Sequence, residues 1–222
     1  MPQRFRKTAR SRHDSNGSSP RALLCIGGAG RSQNFQAVVA SEYTAFVFAQ
    51  RVVEFVEKHE LDGVDIDWEA NFTPDSYLLL LRTLRNALSS SPLSLRLTAA
   101  LHHFKLLPAS AYQFVDAVHL MAYDLDSGPG GHSSFSHSQQ TVGMLEQAGC
   151  PKHKIVLGVP AYSRRVGNPG QVKTYSQLVQ VNPRNAKRDK SDDGDAYNGV
   201  GTIRAKTRYV CMSIGPLAHR KV

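Results

Sequence analysis

The chain of 222 residues has few cysteines, a single tryptophan and no long apolar segment. Its three cysteines, Cys25, Cys150 and Cys211, are too few and too widely spaced for a disulfide framework or a zinc site. Cys25 lies in an apolar run, where a free thiol is expected to be buried like a small hydrophobic group. No run approaches the ~18 consecutive apolar residues that a membrane span requires. The basic start of the chain lacks the apolar stretch of a secretory signal, so we expect neither a transmembrane protein nor a secretory precursor.

The composition is globular and the charge is unevenly distributed. Apolar residues make up 41% of the chain and charged residues 20%, which excludes wholesale disorder. The net charge of +9 comes from the two ends: residues 1–31 carry seven basic residues against one acidic, and residues 151–222 carry fourteen against four. Residues 32–150 carry six basic residues against thirteen acidic. The basic runs lie in Ser-, Asn- and Asp-rich stretches typical of solvated tails and loops, so we expect no nucleic-acid partner.

Short apolar segments alternate with amphipathic patterns along most of the chain. Apolar runs of this length, ended by glycine, proline or charged residues, predict buried strands, and the patterns between them predict helices. This alternation is typical of β/α units on a parallel sheet with right-handed crossovers. In the first helix the expected buried face consists of Phe46, Ala49, Val53 and Val56. The predicted strands cover residues 21–26, 61–68, 93–101, 116–122 and 154–160, and the helices residues 41–60, the segment after Thr73-Pro74, and 139–149.

The segment Asp62–Glu69, DGVDIDWE, combines a strand pattern with four acidic residues. Side chains alternate along a strand, which predicts one acidic face and one apolar face. Asp62 is out of phase with the acidic face and is predicted to be structural, fixing the turn before the strand. The acidic face consists of Asp65, Asp67 and Glu69, and the apolar face of Val64, Ile66 and Trp68.

Closely spaced carboxylates on one face favour general acid catalysis. Successive groups on that face of a strand lie roughly 6–7 Å apart, and in a partly desolvated site at least one should hold a proton near neutral pH. A protonated carboxyl group is what a general acid requires. Two alternatives remain open: a solvated edge strand, or a site for a hard cation such as Mg²⁺. Edge strands usually mix charge signs or favour Lys, and no neighbouring His, Asn or Gly-rich loop indicates a metal site, so no metal is predicted.

DGVDIDWE resembles the catalytic signature D-x-x-D-x-D-x-E of glycoside hydrolase family 18, the chitinases and chitinase-like proteins. Three further segments occur in the family's order. LCIGG at 24–28 resembles the S-x-G-G end of the third barrel strand, with Cys25 in place of serine. MAYD at 121–124 matches the M-x-Y-D of the sixth strand, and GVPAYSR at 158–164 resembles the G-x-P-x-Y-G-R of the seventh, with Ser163 in place of glycine. The resemblance runs from residue 23 to 162, and weakly on to 209.

The family fold that this resemblance implies is a TIM (β/α)₈ barrel with its active site at the C-terminal ends of the strands. Strands equivalent to the third to seventh are recognisable, whereas the first, second and eighth are not found, so the expected α/β barrel is incomplete and the chain is interpreted as truncated at both ends. The expected domains are a basic, disordered leader over residues 1–21 and a partial catalytic domain over 22–222. A reduced polar insertion is expected at about 164–197.

The function implied by the resemblance is retaining, substrate-assisted hydrolysis of β-1,4-linked N-acetylglucosamine polymers such as chitin. Glu69 would protonate the glycosidic oxygen, and the acetamido carbonyl of the substrate would attack the anomeric carbon. Asp67 would bind the acetamido N–H, Asp65 would hold or share its proton, and Tyr123 would donate its hydroxyl to the acetamido oxygen. The residues expected to line the sugar subsites are Met121, Asp124, Tyr162 and Arg164.

No cofactor is implied, because the acetamide of the substrate serves as the nucleophile. The expected partner is chitin or an N-acetylglucosamine-containing oligosaccharide, bound by a monomer. Family relatives are mostly secreted or lysosomal, although no signal peptide is present here. Three alternatives remain: a relative that cleaves N-glycan cores, a chitin-binding, lectin-like member of the family with weak or no activity, and a non-functional fragment. Lectin-like members typically lack the proton donor, whereas this chain retains Glu69.

Overall fold

The computed structural model of the protein describes residues 20–102, 104–125, 131–165, 167–168 and 170–214. The expected leader therefore lies almost entirely outside the described residues. Five strands follow one another in the predicted order, with α-helices in every connection except the one between the third and the fourth, which carries the 3₁₀-helix Ala109–Gln113, and two short strands follow. The strands are β1 Leu23–Gly27, β2 Gly63–Asp67, β3 Arg96–His102, β4 Ala117–Met121, β5 Ile155–Leu157, β6 Arg164–Arg165 and β7 Asp195–Ala196. The α-helices are α1 Phe35–Val38, α2 Glu42–Lys58, α3 Pro74–Ser89, α4 Phe135–Gln147, α5 Tyr175–Val181 and α6 Val200–Tyr209.

The first five strands form one sheet in the order β1-β2-β3-β4-β5. Strands β1, β2 and β3 are parallel, and their register aligns Cys25 with Asp65 and Asp65 with Thr98. Strands β6 and β7 pair separately and antiparallel. In the described part of the chain no strand joins β5 back to β1. The predicted α/β sheet with five neighbouring strands and no closed barrel is therefore confirmed.

The chain divides into two compact units, with boundaries between residues 101 and 102, 105 and 106, and 118 and 119. The first unit contains β1, β2, nearly all of β3, the start of β4, and α1 to α3. The second contains the end of β4, the remaining strands, and α4 to α6. None of the helices in the described ranges has the length and apolar content needed to cross a bilayer.

In the first unit, α2 and α3 begin at capping boxes and bury apolar faces. The N-cap side chain of Ser41 accepts from the Thr44 backbone N–H, and Thr73 accepts from that of Ser76 in the same way. Such caps satisfy N–H groups that the first helical turn leaves open. The buried residues are Ala45, Ala49, Val52, Val53 and Val56 on α2, and Tyr77, Leu80, Leu81, Leu84, Ala87 and Leu88 on α3.

The buried face of α2 differs from the prediction at Phe46, which is 53% exposed. At 100° per residue, Phe46 lies at the outer edge of the stripe that the buried residues form, about 20° beyond Val53. Ala45 occupies the packed position instead, with an exposure of 0%. The small side chain allows the helix to lie close to its neighbours, and the large ring is displaced towards solvent.

In the second unit, the polar segment at 164–197 is ordered around buried tyrosine and asparagine side chains. The Tyr197 hydroxyl donates to the Asn185 carbonyl at 3.0 Å, and the Asn185 amide donates to the Leu178 carbonyl at 2.9 Å. All three residues are buried. The segment also carries the short pair β6–β7 and helix α5. It is therefore a folded part of the second unit rather than a simple surface loop.

Candidate active site

Strand β2 carries acidic side chains on one face and apolar side chains on the other, as predicted. Asp65, Asp67 and Glu69 are partly exposed. The apolar face is fully packed, with exposures of 0% for Val64 and Ile66 and 1% for Trp68. The described residues contain no group of three His, Cys, Asp or Glu side chains placed to hold a metal ion. Asp65 and Asp67 on β2, and Glu69 just beyond its end, are thus partly exposed while their apolar neighbours are buried.

Asp62 ties the start of β2 to the preceding strand, which confirms its predicted structural role. Its carboxylate accepts from the Ala22 backbone N–H at 2.7 Å, and its own N–H donates to the Ala22 carbonyl at 2.8 Å. The Asp62 carbonyl accepts from the Arg96 N–H at 2.9 Å. The next residue, Gly63, has φ +150°, and a Cβ there would lie 2.1 Å from the Arg96 carbonyl oxygen. This position therefore requires glycine so that β2 and β3 can pair from their first residues.

The Gly27-Gly28 pair allows the end of β1 to approach the backbone of Asp67. The two residues have φ +110° and +98°, which L side chains rarely adopt. The Gly28 N–H donates to the Asp67 carbonyl at 2.8 Å, and a Cβ on Gly27 would lie 2.1 Å from that same oxygen. The glycine pair, a weak motif when considered alone, therefore has a direct physical role in placing Asp67.

An aromatic stack supports the acidic segment from its apolar side. The Trp68 ring stacks on Phe35 at 5.1 Å and on Tyr77 at 5.5 Å, measured between ring centroids. The Tyr77 hydroxyl donates to the Ile66 carbonyl at 3.0 Å, and burial raises the pKa of Tyr77 well above its ordinary value. The Trp68 indole N–H donates to the Ala70 carbonyl at 2.5 Å. These contacts hold Ile66 and Trp68, which alternate with the acidic residues of the segment, from the apolar side.

Asp65 lies between polar neighbours on the two flanking strands. The Thr98 hydroxyl on β3 donates to its carboxylate. Cys25 on β1 is aligned with it and is exposed, so the prediction of a buried Cys25 was wrong. Partial desolvation and the negative charges of Asp65 and Asp67 raise the pKa of the Cys25 thiol to about 11. The thiol is therefore protonated at neutral pH, and its register with Asp65 places it on the acidic face.

Ser32, which the sequence did not single out, fixes the backbone at Glu69. The side chain is 0% exposed, and its hydroxyl oxygen accepts from the backbone N–H of Glu69 at 3.2 Å and from that of Ala70 at 3.1 Å. Both groups lie just beyond the end of β2, past the last residue that the β1–β2 register pairs. One serine from the loop after β1 thus bonds two successive backbone groups, and nothing in the local pattern of that loop indicates this.

In the second unit, Asp124 is held by Tyr162 and Arg164. The Tyr162 hydroxyl donates to Oδ1 of Asp124 at 2.8 Å, and Arg164 donates through Nε to Oδ1 at 2.8 Å and through Nη2 to Oδ2 at 2.7 Å. Burial alone would raise the pKa of the Asp124 carboxyl, but these hydrogen bonds outweigh it and lower the pKa below its usual value. The structure therefore brings together three residues that the sequence predicted as a group.

Tyr123 lies next to Gly158 and Tyr162, where β4 and β5 end. Its ring meets Tyr162 edge-on at 6.3 Å between centroids. The Gly158 N–H donates to the Leu120 carbonyl at 2.9 Å, and a Cβ on Gly158 would lie 2.6 Å from the Tyr123 ring. Met121, the last residue of β4, is partly exposed. Glycine at 158 therefore leaves the space that the Tyr123 ring occupies.

His132 is a second residue that the sequence did not single out. It is 2% exposed; its Nδ1 accepts from the Asp124 N–H at 3.3 Å, and its Nε2 lies 3.2 Å from the Tyr162 carbonyl oxygen. A carbonyl can only accept, so the ring carries its hydrogen on Nε2. Burial lowers the pKa of His132, which favours this neutral form. His132 therefore links the backbones of Asp124 and Tyr162.

The positions of the predicted site residues can be summarised by unit. The first unit presents the carboxylates together, and the second unit groups the residues of the two later motifs. The residues are Asp65, Asp67 and Glu69 in the first unit, and Met121, Tyr123, Asp124, Tyr162 and Arg164 in the second.

Similar proteins belong to the family that the sequence motifs resemble. The family model described as Glycosyl hydrolases family 18 matches residues 2–211. The chain is 30% identical over 182 residues to an endochitinase of Manduca sexta, covering 68% of this chain and 33% of that protein. It is 33% identical over 214 residues to chitinase 1 of Aphanocladium album, covering 82% of this chain and 45% of that protein. The chain thus spans between a third and a half of the length of these relatives.

Solved structures share the fold. The GH18 chitinase ChiB from the chitin utilization locus of Flavobacterium johnsoniae matches with a TM-score of 0.83 and 26% identity, covering 95% of this chain and 70% of that one. A chitinase from Bacteroides thetaiotaomicron matches with a TM-score of 0.78 and 22% identity over the same shares of the two chains. The incomplete α/β barrel expected from the sequence is therefore the observed fold.

Proposed function

Because the chain belongs to glycosyl hydrolase family 18, we propose that it hydrolyses β-1,4 linkages in N-acetylglucosamine polymers, with Glu69 as the proton donor. The proposed substrate is chitin or a chito-oligosaccharide, bound by a monomer without a cofactor. The observation that carries this proposal is the segment of β2 and the two residues after it, in which Asp65, Asp67 and Glu69 are partly exposed while Val64, Ile66 and Trp68 are buried. A structural strand has no need of three acids on one face, whereas glycoside hydrolysis requires a positioned carboxyl group.

The proposed mechanism is substrate-assisted, as the family resemblance implies. Glu69 gives its proton to the glycosidic oxygen while the acetamido oxygen of the substrate attacks the anomeric carbon, and the bond to the leaving sugar breaks. Asp67 accepts from the acetamido N–H and offsets the positive charge of the resulting oxazolinium ion, while Asp65 holds or shares the proton of Asp67. Water then attacks the anomeric carbon and gives a proton to Glu69, while the bond between that carbon and the acetamido oxygen breaks and restores the acetamide. The two displacements together retain the configuration. The hydrogen bond from Thr98 to Asp65 supports a fixed orientation for this second carboxylate.

The residues of the second unit are assigned by their motifs. We assign Tyr123 to donate its hydroxyl to the acetamido oxygen, and Met121, Asp124, Tyr162 and Arg164 to line the sugar subsites. The bidentate pair of Arg164 with Asp124 fixes the orientation of both side chains in the region assigned to the sugar subsites. The Asp124–Tyr162 hydrogen bond fixes the orientation of the tyrosine ring.

The test is release of a fluorophore from labelled chito-oligosaccharides by the purified chain, with Glu69→Gln run beside it. Glutamine keeps the shape of the side chain but cannot donate a carboxyl proton, so we expect turnover to fall by ~10²–10⁴-fold. Affinity for unlabelled chito-oligosaccharide, measured by calorimetry, should be nearly unchanged. Glu54→Gln, at an exposed position on α2, is the matched control.

Three outcomes separate the proposed hydrolase from its alternatives. Turnover lost only in Glu69→Gln supports the hydrolase. Binding without turnover in both proteins indicates a lectin-like family member and contradicts the proposal. Absence of turnover, binding and a cooperative melt indicates a non-functional fragment.

A further inference from the structure

Lys206 on α6 is a fully buried lysine for which the proposed reaction has no use. Its exposure is 0%. The ammonium nitrogen lies 2.9 Å from the Ser133 carbonyl, 2.7 Å from the Ser133 hydroxyl and 2.8 Å from Oδ1 of Asn198. Three acceptors require three N–H donors, which only the protonated ammonium has. These three acceptors are neutral oxygens, while the negative charge of Asp189 also acts on the ammonium.

This arrangement is costly as a purely structural device. Removing an ammonium group from water is unfavourable, and an apolar side chain of similar volume often serves a packed core as well or better. A buried charge that is fully hydrogen-bonded instead enforces one geometry on the groups around it. The three hydrogen bonds of Lys206 therefore fix the orientation of Ser133 and Asn198.

The hydrogen bonds lead from Lys206 to the residue before Tyr123. Because the Ser133 hydroxyl accepts from the ammonium, its own proton is directed to the Ala122 carbonyl, at 2.8 Å. The Asn198 amide donates to the Ser133 carbonyl at 2.7 Å, which fixes the serine from its other side. Ser133, Asn198 and Ala122 are all nearly inaccessible to solvent. The series of hydrogen bonds from α6 to the residue after β4 is thus continuous and buried.

The same short segment also holds the other side of Tyr123. His132, directly before Ser133, accepts the Asp124 N–H through Nδ1 at 3.3 Å. The Ala122 carbonyl and the Asp124 N–H belong to the two peptide groups that flank Tyr123. Both peptide planes at Tyr123 are therefore anchored to residues 132–133, and these in turn to Lys206.

We propose that Lys206 is a positioning residue that acts through Ser133 to fix the backbone of Tyr123 and hence the direction of its hydroxyl. The catalytic value of that direction rests on the proposed function. The placement of Tyr123 by Ser133 and Lys206 does not, and it can be measured in a protein that turns nothing over. Every residue of this network lies in the second unit.

The experiment is ¹⁹F NMR on the full chain labelled with 3-fluorotyrosine, in which Tyr123→Phe identifies the Tyr123 resonance. Ser133→Ala removes the hydroxyl between Lys206 and Ala122, and Lys206→Met removes the charge while keeping most of the volume. The matched control is Ser138→Ala on α4, because Ser138 is equally buried but its hydroxyl bonds only to the Ser134 carbonyl of its own helix. We expect the Tyr123 resonance to shift and broaden in Ser133→Ala and Lys206→Met and to stay unchanged in the control.

Turnover of labelled chito-oligosaccharide by the same proteins gives the second readout. We expect kcat to fall on the order of tenfold in both variants, with a smaller change in KM, because a displaced catalytic group costs rate more than binding. An unchanged Tyr123 resonance in Ser133→Ala overturns the proposal, as does an equal shift in Ser138→Ala. If the unaltered chain has no turnover, the proposed function fails, and the NMR comparison still decides whether Lys206 and Ser133 place Tyr123. Should Lys206→Met not fold, Ser133→Ala carries the test.

Discussion

The link between Ser32 and Glu69 makes a quantitative prediction for Ser32→Ala. The serine hydroxyl accepts two backbone N–H groups, those of Glu69 and Ala70, and it is inaccessible to solvent. Alanine fills nearly the same volume but offers no acceptor. The substitution therefore removes two hydrogen bonds without creating a large cavity or changing a charge.

The expected loss of stability follows from the two N–H groups that remain. A buried donor left without an acceptor costs about 1–3 kcal/mol. Glu69 and Ala70 are partly exposed, so water can reach their N–H groups and the lower end applies to each. A total loss of about 2 kcal/mol corresponds to a melting temperature lower by ~4–8 °C for a chain of this size. Glu69, the proposed proton donor, also loses its backbone anchor, for which we expect a fall in kcat on the order of tenfold.

The assay combines thermal unfolding followed by circular dichroism with turnover of labelled chito-oligosaccharide. Ser89→Ala is the control, because Ser89 is exposed at the end of α3 and should change neither quantity. Ser32→Thr keeps the hydroxyl and should recover at least part of the lost turnover if the site admits the added methyl group. A Ser32→Ala protein with unchanged melting temperature and unchanged kcat would refute the assignment of Ser32 as the support of Glu69.

Three further predictions concern the second unit. Gly158→Ala should lower turnover and destabilise the protein by about 1–3 kcal/mol, because the new methyl group would meet the Tyr123 ring and the Leu120 carbonyl. Steady-state kinetics and thermal unfolding test this. The control is Gly143→Ala, at a helical glycine with open space around it. Asp124→Asn should lose about 1–3 kcal/mol at pH 7. Since the folded pKa of Asp124 is lowered, its contribution is present above the unfolded value of ~3.9 and is lost as pH falls through the folded value. Denaturant unfolding at pH 7 and pH 3 should therefore show a smaller difference between the two proteins at pH 3. Burial lowers the pKa of Lys206 to about 8. Between pH 8 and ~10.4 the unfolded chain therefore binds more protons than the folded one, and the free energy of unfolding should rise with pH. Over this range we expect a rise of roughly 3 kcal/mol relative to Lys206→Met, which lacks the titrating group. If the free energies of unfolding of the unaltered chain and of Lys206→Met changed with pH in parallel, the lowered pKa of Lys206 would be contradicted.

The features that the sequence predicted correctly depend on local geometry. The alternation of Asp65, Asp67 and Glu69 with buried neighbours follows from the pleat of a strand and needs no knowledge of what lies beside it. The start of α3 at Thr73-Pro74 follows from capping chemistry within four residues. The out-of-phase position of Asp62 likewise indicated a structural role that its hydrogen bonds to Ala22 confirm.

The failures concern residues whose environment depends on a neighbouring element. Phe46 fits an amphipathic pattern, but the packing of α2 selects Ala45 for the buried position. Cys25 lies in an apolar run, yet its register with Asp65 places the thiol on the acidic face. In both cases the local pattern is compatible with two orientations, and packing against another segment decides between them.

Local sequence patterns predict the order of the first five strands, the acidic side of residues 62–69 and the motifs that carry the family resemblance, because each is encoded within a few consecutive residues. The support of Glu69 by Ser32 across 37 positions of the chain, and the hydrogen bond of Lys206 with Ser133 across 73, depend on the fold. Such hydrogen bonds form only after the intervening chain has closed, and a single sequence contains no periodic signal for them. The catalytic candidates can therefore be predicted from local pattern, whereas the residues that hold them in place become visible only in the fold.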